Sequence, residues 1–338
     1  MMNSPDISNK SILLIMPEFH NHEKYMVSLL EKWGANVATI QENVRTTKLL
    51  YKISWHISRN LGYWLLDQYY KRKLRGIHKA DIILVIKGES ISEKTMRSIC
   101  HRYPKSKKIL YEWDSTSINP QSLTIAPYFD AVASFDPEDA AQYGWKYRPL
   151  FFEDQKETIP RKELYDLSFI GTIHTHRINI FRQAKLQTEQ NSLIFYAYLY
   201  SNFFTYNIKK FIKKDAAFQG LKSNEVHYKP LPLEETISVY RSSKVILDYA
   251  APGQNGLTMR TIEALCNGCK LLTNNKNVRN ISLFQESNIA FYDEADFQIP
   301  EHFCETPALP LKSELIEYYT LEYWLEELIG YLNLRKDQ

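Results

Sequence analysis

The stretch SSKVILDYAAPGQNGLTMRTIEALCNGCKLLTN, Ser242 to Asn274, reads as strand, loop, helix, strand. Val245-Ile246-Leu247 is a short apolar run suited to a buried parallel strand. Pro252, Gly253 and Gly256 punctuate a loop. From Leu257 to Asn267 apolar residues fall at helical spacing, and Gly268 stands where a helix-ending glycine belongs. Lys270 to Thr273 begins the next strand. The loop Asn255-Gly256-Leu257-Thr258 is thus placed at a strand's carboxyl end and a helix's amino end. Open α/β sheets bind ligands there. Free N–H groups and the helix dipole favour an anion, most often a phosphate. An ordinary βαβ unit without a ligand has the same pattern, so the surrounding chain has to decide.

Working outward, residues 11–150 alternate strand and helix. Strands are predicted at Ser11–Met16, Asn36–Ile40, Asp81–Ile86, Lys108–Tyr111 and Ala131–Ser134. Helices are predicted at Glu23–Trp33, Ser92–Cys100 and over a long region from Thr46 to Arg75, broken near Gly62. Asp136-Pro137 has the pattern of an N-cap followed by proline. Residues 151–165 are polar, without apolar period, and read as a linker. A second series follows: strand Asp166–Ile170, helix Arg177–Gln187, strand Leu193–Tyr196, helix Phe203–Lys214, strand Val226–Tyr228, helix Leu233–Arg241, then the opening stretch. Ile289–Tyr292 is the expected last strand, and Leu315–Leu334 a terminal helix. The fold class expected is α/β, with two Rossmann-like domains facing a cleft and the terminal helix packing back towards the amino lobe. The domains expected are 1–152, a linker at 153–165, 166–312, and the terminal helix at 313–338.

The chain has 338 residues, is 44% hydrophobic and carries a formal charge of +3. That charge is too small to imply a nucleic-acid partner by itself. No run combines positive charge, a long apolar core and a cleavage site, so a cytoplasmic location is expected. Four cysteines are too few for a disulfide scaffold. Cys266-Asn267-Gly268-Cys269 matches CxxC but sits at a helix's carboxyl end, away from the dipole that activates thiols, and no second pair completes a zinc site. No metal ligand set is predicted.

Asp166-Leu-Ser-Phe-Ile-Gly171 with Arg177, and Gly256-Leu-Thr-Met-Arg260-Thr-Ile-Glu263-Ala-Leu with Gly268, resemble the donor domain of GT-B glycosyltransferases. The chain is similar to their CgeB-like group, found in surface-polysaccharide loci; Tyr128-Phe129-Asp130 and Ser134–Asp139 resemble amino-lobe segments of it. The resemblance implies a Leloir-type transferase moving a sugar from a nucleotide-sugar donor to a glycan or lipid-linked glycan acceptor, in lipopolysaccharide, capsule or other surface-polysaccharide synthesis. It implies no required cofactor. Glu263 matches a glutamate that bonds the donor ribose. Many relatives carry Glu-x7-Glu across this helix, but Asn255 stands at the first position, which bears on a retaining mechanism.

Gly171, His174, Arg177, Asn255, Gly256 and Arg260 are placed at the diphosphate, since guanidinium forks bind phosphate bidentately. Lys229 falls where a loop frames the base. A catalytic base is expected at a strand end of the amino lobe: Asp114, in Glu112-Trp113-Asp114, is favoured, with Glu18 and His20 as alternatives. Thr46–Lys79 is basic with interleaved aromatics, and Phe203–Lys214 has the same character, so membrane-surface contact on the inner membrane is expected. A nucleotide-sugar epimerase on the same fold, and a non-catalytic bilobed binding protein, are the rival readings.

Overall fold

Among the described residues twelve short strands make two six-stranded parallel sheets, and the central strands Ser11–Met16, Ile82–Ile86, Lys107–Glu112, Tyr165–Thr172 and Ser243–Asp248 are largely apolar and buried. The computed structural model describes residues 7–18, 22–42, 49–154, 159–252 and 255–333. The chain divides into two units: Met1–Leu150 with Gly253–Gly256 and Leu321–Gln338, and Phe151–Pro252 with Leu257–Thr320.

In the first unit the sheet order is β2-β1-β3-β4-β5-β6. The strands are β1 Ser11–Met16, β2 Asn36–Gln41, β3 Ile82–Ile86, β4 Lys107–Glu112, β5 Ala131–Ser134 and the short β6 Lys146–Tyr147. The helices are α1 His22–Lys32, α2 Leu49–Ile57, α3 Arg59–Leu74, α4 Glu93–Arg102, α5 Gln121–Ile125 and α6 Pro137–Tyr143. Asp136 caps α6 by accepting from the Glu138 and Asp139 amides, as the sequence predicts. The long region divides at Ser58, not at Gly62. Ser58 is extended (φ −160°, ψ 131°), whereas Gly62 lies inside α3, where the Trp55 ring packs so closely that a Cβ would come within 2.4 Å of it.

In the second unit the order is β12-β11-β10-β7-β8-β9. Its strands are β7 Tyr165–Thr172, β8 Phe195–Tyr200, β9 Val226–His227, β10 Ser243–Asp248, β11 Lys270–Thr273 and β12 Ile289–Phe291. Its helices are α7 Thr175–Gln190, α8 Phe203–Asn207, α9 Ala216–Gln219, α10 Leu233–Arg241, α11 Met259–Cys266 and α12 Ser313–Tyr318. Thr258 caps α11 by accepting from the Thr261 amide, and Gly268 follows it at φ +79°, a conformation open to glycine. The helix expected over Phe203–Lys214 is a short α-helix that widens into a π-helical turn at Ile208–Ile212.

The expected terminal helix is two helices. α12 ends at Tyr318, the Phe152 amide bonds the Tyr319 carbonyl at 2.9 Å, and α13 runs from Leu321 to Asn333 in the first unit. There the buried Trp324 meets the Tyr111 ring edge-on at 4.6 Å, and Glu327 pairs with the fully buried Arg148 at 2.7 Å. Aromatic burial of this size anchors the carboxyl-terminal helix on β4.

Candidate functional site

In the second unit the chain builds β7, β8 and β9 on one side, then returns to lay β10 on the other side of β7. β7 and β10 therefore form the switch point, outside whose carboxyl ends α/β sheets bind ligands. Three groups of residues converge there. β7 carries Gly171 one residue before its end and leads through His174 to Arg177 on α7. β10 ends in Asp248, and Tyr249 follows it. The first turn of α11 supplies Arg260.

Asp248 is completely buried. It accepts from Thr258 Oγ1 at 2.9 Å, Arg260 Nη1 at 2.8 Å, Thr273 Oγ1 at 3.0 Å and Thr261 Oγ1 at 3.2 Å. A buried carboxylate demands such a set, because an unpaired charge there is costly. Arg260 spends its second Nη on the Ile170 carbonyl, also at 2.8 Å. Both Nη atoms are thereby engaged, while its buried Nε, like that of Arg177, has no hydrogen-bond partner among the described residues. The sequence reading overlooked Asp248; an acid closing an apolar strand before a Thr-capped helix was the available signal.

Arg177 is differently placed. Its Nη1 reaches only the Thr172 carbonyl, at 3.4 Å, and its guanidinium lies 5.8 Å from the centre of the Tyr249 ring. Its buried Nε has no hydrogen-bond partner among the described residues. Burial, then the Arg260 charge, push its pKa down to about 10. Both guanidinium groups lie within 3.6–3.7 Å of where a Cβ on Gly171 would stand. His174, 5.5 Å from Tyr249, is held down to about 4 by burial and then by Arg177, so its imidazole is neutral near pH 7. Two cations, one of them paired with Asp248, and a neutral imidazole around a glycine at a switch point can hold an anion.

Of the remaining predicted binding residues, Glu263 is buried on α11. Lys229 is exposed, and its carbonyl accepts from Tyr198, whose ring stacks on His227 at 3.9 Å. Asn255 and Gly256 belong to the first unit: Asn255 Nδ2 donates to Glu138 Oε2 at 2.6 Å, and the Gly256 Cα faces Phe135, whose ring a Cβ would strike at 2.3 Å.

In the first unit the predicted carboxylates stand at strand carboxyl ends. Lys87, strained at φ +74°, pairs with Asp114 at 2.8 Å and Glu89 at 3.0 Å. Glu112 beside it is fully buried and accepts from Asn119 Nδ2 at 2.7 Å and the Asp114 amide at 3.3 Å. Burial, then the Asp114 charge, raise the Glu112 pKa well above the usual carboxylate range. Glu18 is exposed and accepts from Gln41 at 3.0 Å. His20 lies outside the described residues. A cavity of about 600 Å³ lined by Asp130, Tyr143, Trp145 and Tyr331 opens in this unit near the beginning of β5 and away from these carboxylates. None of the four cysteines is in a disulfide; Cys269 is buried, its thiol pushed up to about 11 and turned to the Tyr240 carbonyl at 2.9 Å. Among the described residues, no group of His, Cys, Asp and Glu is arranged to hold a metal ion.

No protein-family model matches the chain, and no curated protein matches it. Solved structures do. A UDP-forming α,α-trehalose-phosphate synthase from Burkholderia xenovorans, in complex with glucose-6-phosphate, superposes with a TM-score of 0.57 at 9% identity, over 95% of this chain and 100% of that one. A sucrose-phosphate synthase from Thermosynechococcus elongatus gives 0.54 at 10% identity, over 96% and 95%. An Anabaena protein in complex with UDP and glucose gives 0.52 at 10% identity, over 97% and 98%. The fold is therefore that of the two-Rossmann-domain GT-B proteins. At these identities the likeness speaks for the fold alone.

Proposed function

We propose that the chain is a Leloir-type glycosyltransferase that binds a nucleotide-diphosphate sugar at the β7/β10 switch point and passes the sugar to a glycan acceptor. The observation that carries this is Arg177: a half-buried arginine with a buried, unmatched Nε and no carboxylate partner among the described residues, beside Gly171 and a second arginine, awaits an anion. The fold it shares with proteins solved with UDP and glucose, or described as UDP-forming, supports a nucleotide sugar as that anion.

In this reading Arg177 and the α7 amino end contact the diphosphate. Arg260 adds charge from its fixed place. Their joint field stabilises the leaving nucleoside diphosphate as the glycosidic bond breaks, where preorganised charge counts most. Glu263 receives the ribose hydroxyls, Lys229 borders the base, and Asn255 with Gly256 lines the approach to the phosphates. The domain at 166–312 is the donor side and 1–152 the acceptor side. Asp114, already paired to Lys87, is the first choice for the base that takes the acceptor proton; Glu18 and His20 are the alternatives. The resemblance to the CgeB-like group supports a role in lipopolysaccharide or other surface-polysaccharide synthesis. It also supports a cytoplasmic protein working at the inner face of a membrane.

A nucleotide-sugar panel screened by thermal shift tests the reading, because a ligand of the folded state raises its melting temperature. A rise with one family of nucleotide diphosphates, and its loss in Arg177→Ala, are the expected results. Indifference to every nucleotide would sink the proposal. Acceptor-independent turnover of the sugar would assign epimerisation instead. Asp114→Asn is expected to lower transfer about 10²–10⁴-fold with donor binding unchanged. Unchanged donor binding in Glu263→Ala would remove the ribose assignment.

A further inference from the structure

We infer that the α2–α3 hairpin is a docking surface for an anionic lipid bilayer. On α2, Leu50, Ile53 and Ile57 recur at intervals of three and four residues and are 63%, 48% and 71% exposed. On α3, Leu61 and Trp64 follow at 38% and 52%. Helical spacing places residues three, four, seven and eight apart on one face. Trp64 therefore shares its face with Lys71, Arg72 and Arg75, all exposed. The opposite face of α3 is spent on the core, where Leu66, Tyr70 and Leu74 are buried.

Two observations define the partner. First, five large apolar side chains exposed on one hairpin exceed the scatter of single residues found on soluble surfaces. Second, the charge around them has one sign. Asp67 is the single acid between Leu49 and Ala80, and it is turned inward. It accepts from Ser92 Oγ and, at 2.8 Å, from Thr95 Oγ1, and its side chain is 13% exposed. An apolar stripe continuing into a basic helix end fits the acyl–headgroup boundary of an anionic leaflet. Trp64 lies where the two meet, the depth that an indole favours. Among the described residues no helix is long and apolar enough to cross a membrane, so the contact inferred is with a surface.

The hairpin is fixed for this role. Trp55 meets Tyr63 edge-on at 4.8 Å and closes against Gly62, which holds α2 and α3 together. The inference does not depend on the sugar-transfer reading, since vesicle binding is measured without donor or acceptor.

The experiment is co-sedimentation of the full chain with vesicles of phosphatidylcholine alone and of phosphatidylcholine mixed with phosphatidylglycerol, at low and high salt. Binding to the anionic vesicles, weakened by salt, is expected. Lys71→Gln and Arg72→Gln should each weaken it about fivefold. Ile53→Ser with Ile57→Ser should abolish it while the thermal midpoint stays put, because both side chains already face solvent. A wild-type chain that stays in the supernatant at low salt overturns the inference. So does undiminished binding by the double serine variant. A dimer in light scattering that this variant dissociates would show that a second copy, not lipid, covers the face, and overturns it equally.

Discussion

Asp248 and Arg260, twelve residues apart in sequence, form a 2.8 Å ion pair in the second unit. Asp248 is fully buried and the Arg260 side chain is 13% exposed. The pair fixes an arginine, otherwise free to swing towards a phosphate, as a wall of the candidate anion site. Asp248→Asn should leave the Arg260 charge under-compensated, at a cost of about 3–5 kcal/mol. Urea denaturation checks this. Combining it with Arg260→Gln should cost less than the sum of the two single changes, because the partners are in contact.

Arg177 has the opposite character: its fork is free of any carboxylate at hydrogen-bonding distance among the described residues. Arg177→Ala should therefore leave the melting temperature of the ligand-free protein nearly unchanged. It should weaken nucleotide-diphosphate binding by about 1.5–3 kcal/mol, the value of a charge-assisted hydrogen bond, which is about 10- to 150-fold in Kd. Calorimetric titration of wild type and variant gives the comparison.

His174 gives a pH signature. Its pKa is lowered from 6.5 to about 4, so folding disfavours its charged form. The associated stability is whole above about 6.5 and declines as pH falls from there towards 4. His174→Gln should flatten the melting-temperature profile across that window. A bound diphosphate would favour imidazolium, so adding nucleotide should move the His174 NMR titration to higher pH.

Glu112 has the reverse sign. Its folded pKa stands well above 4.5, so stability is fully present below that value and is lost as pH rises through the folded pKa. Glu112→Gln preserves the shape and an acceptor for Asn119 without the ionisable proton. Its stability should therefore change little between acid and mildly alkaline pH, where the wild type weakens.

Gly62→Ala tests the hairpin. On an exposed helix position this change normally stabilises by up to about 1 kcal/mol. Here the new methyl would meet the Trp55 ring at 2.4 Å. Destabilisation of about 1–3 kcal/mol is expected, from overpacking. Thermal denaturation followed at the near-ultraviolet tryptophan signal reads it.

The sequence by itself determined the local grammar. Alternating apolar runs and helical periods marked eleven of the twelve strands among the described residues, because buried parallel strands tend to be continuous in Val, Ile and Leu. Asp136 and Gly268 marked helix ends, because orphan N–H groups and positive φ select few residue types. Residues with little side-chain signal were missed, such as the two-residue β6 and the single turn of α5. Strand order was decided only in the tertiary structure, and with it the site. Laying β10 beside β7 brings Arg260 to the Ile170 carbonyl, 90 residues away. That contact turns Arg260 inward to Asp248, while Arg177 meets no carboxylate at hydrogen-bonding distance among the described residues. Exposure was also invisible in the sequence: Tyr70 and Trp64 occupy the same helix, one buried and one in solvent, because only packing shows which face the sheet covers.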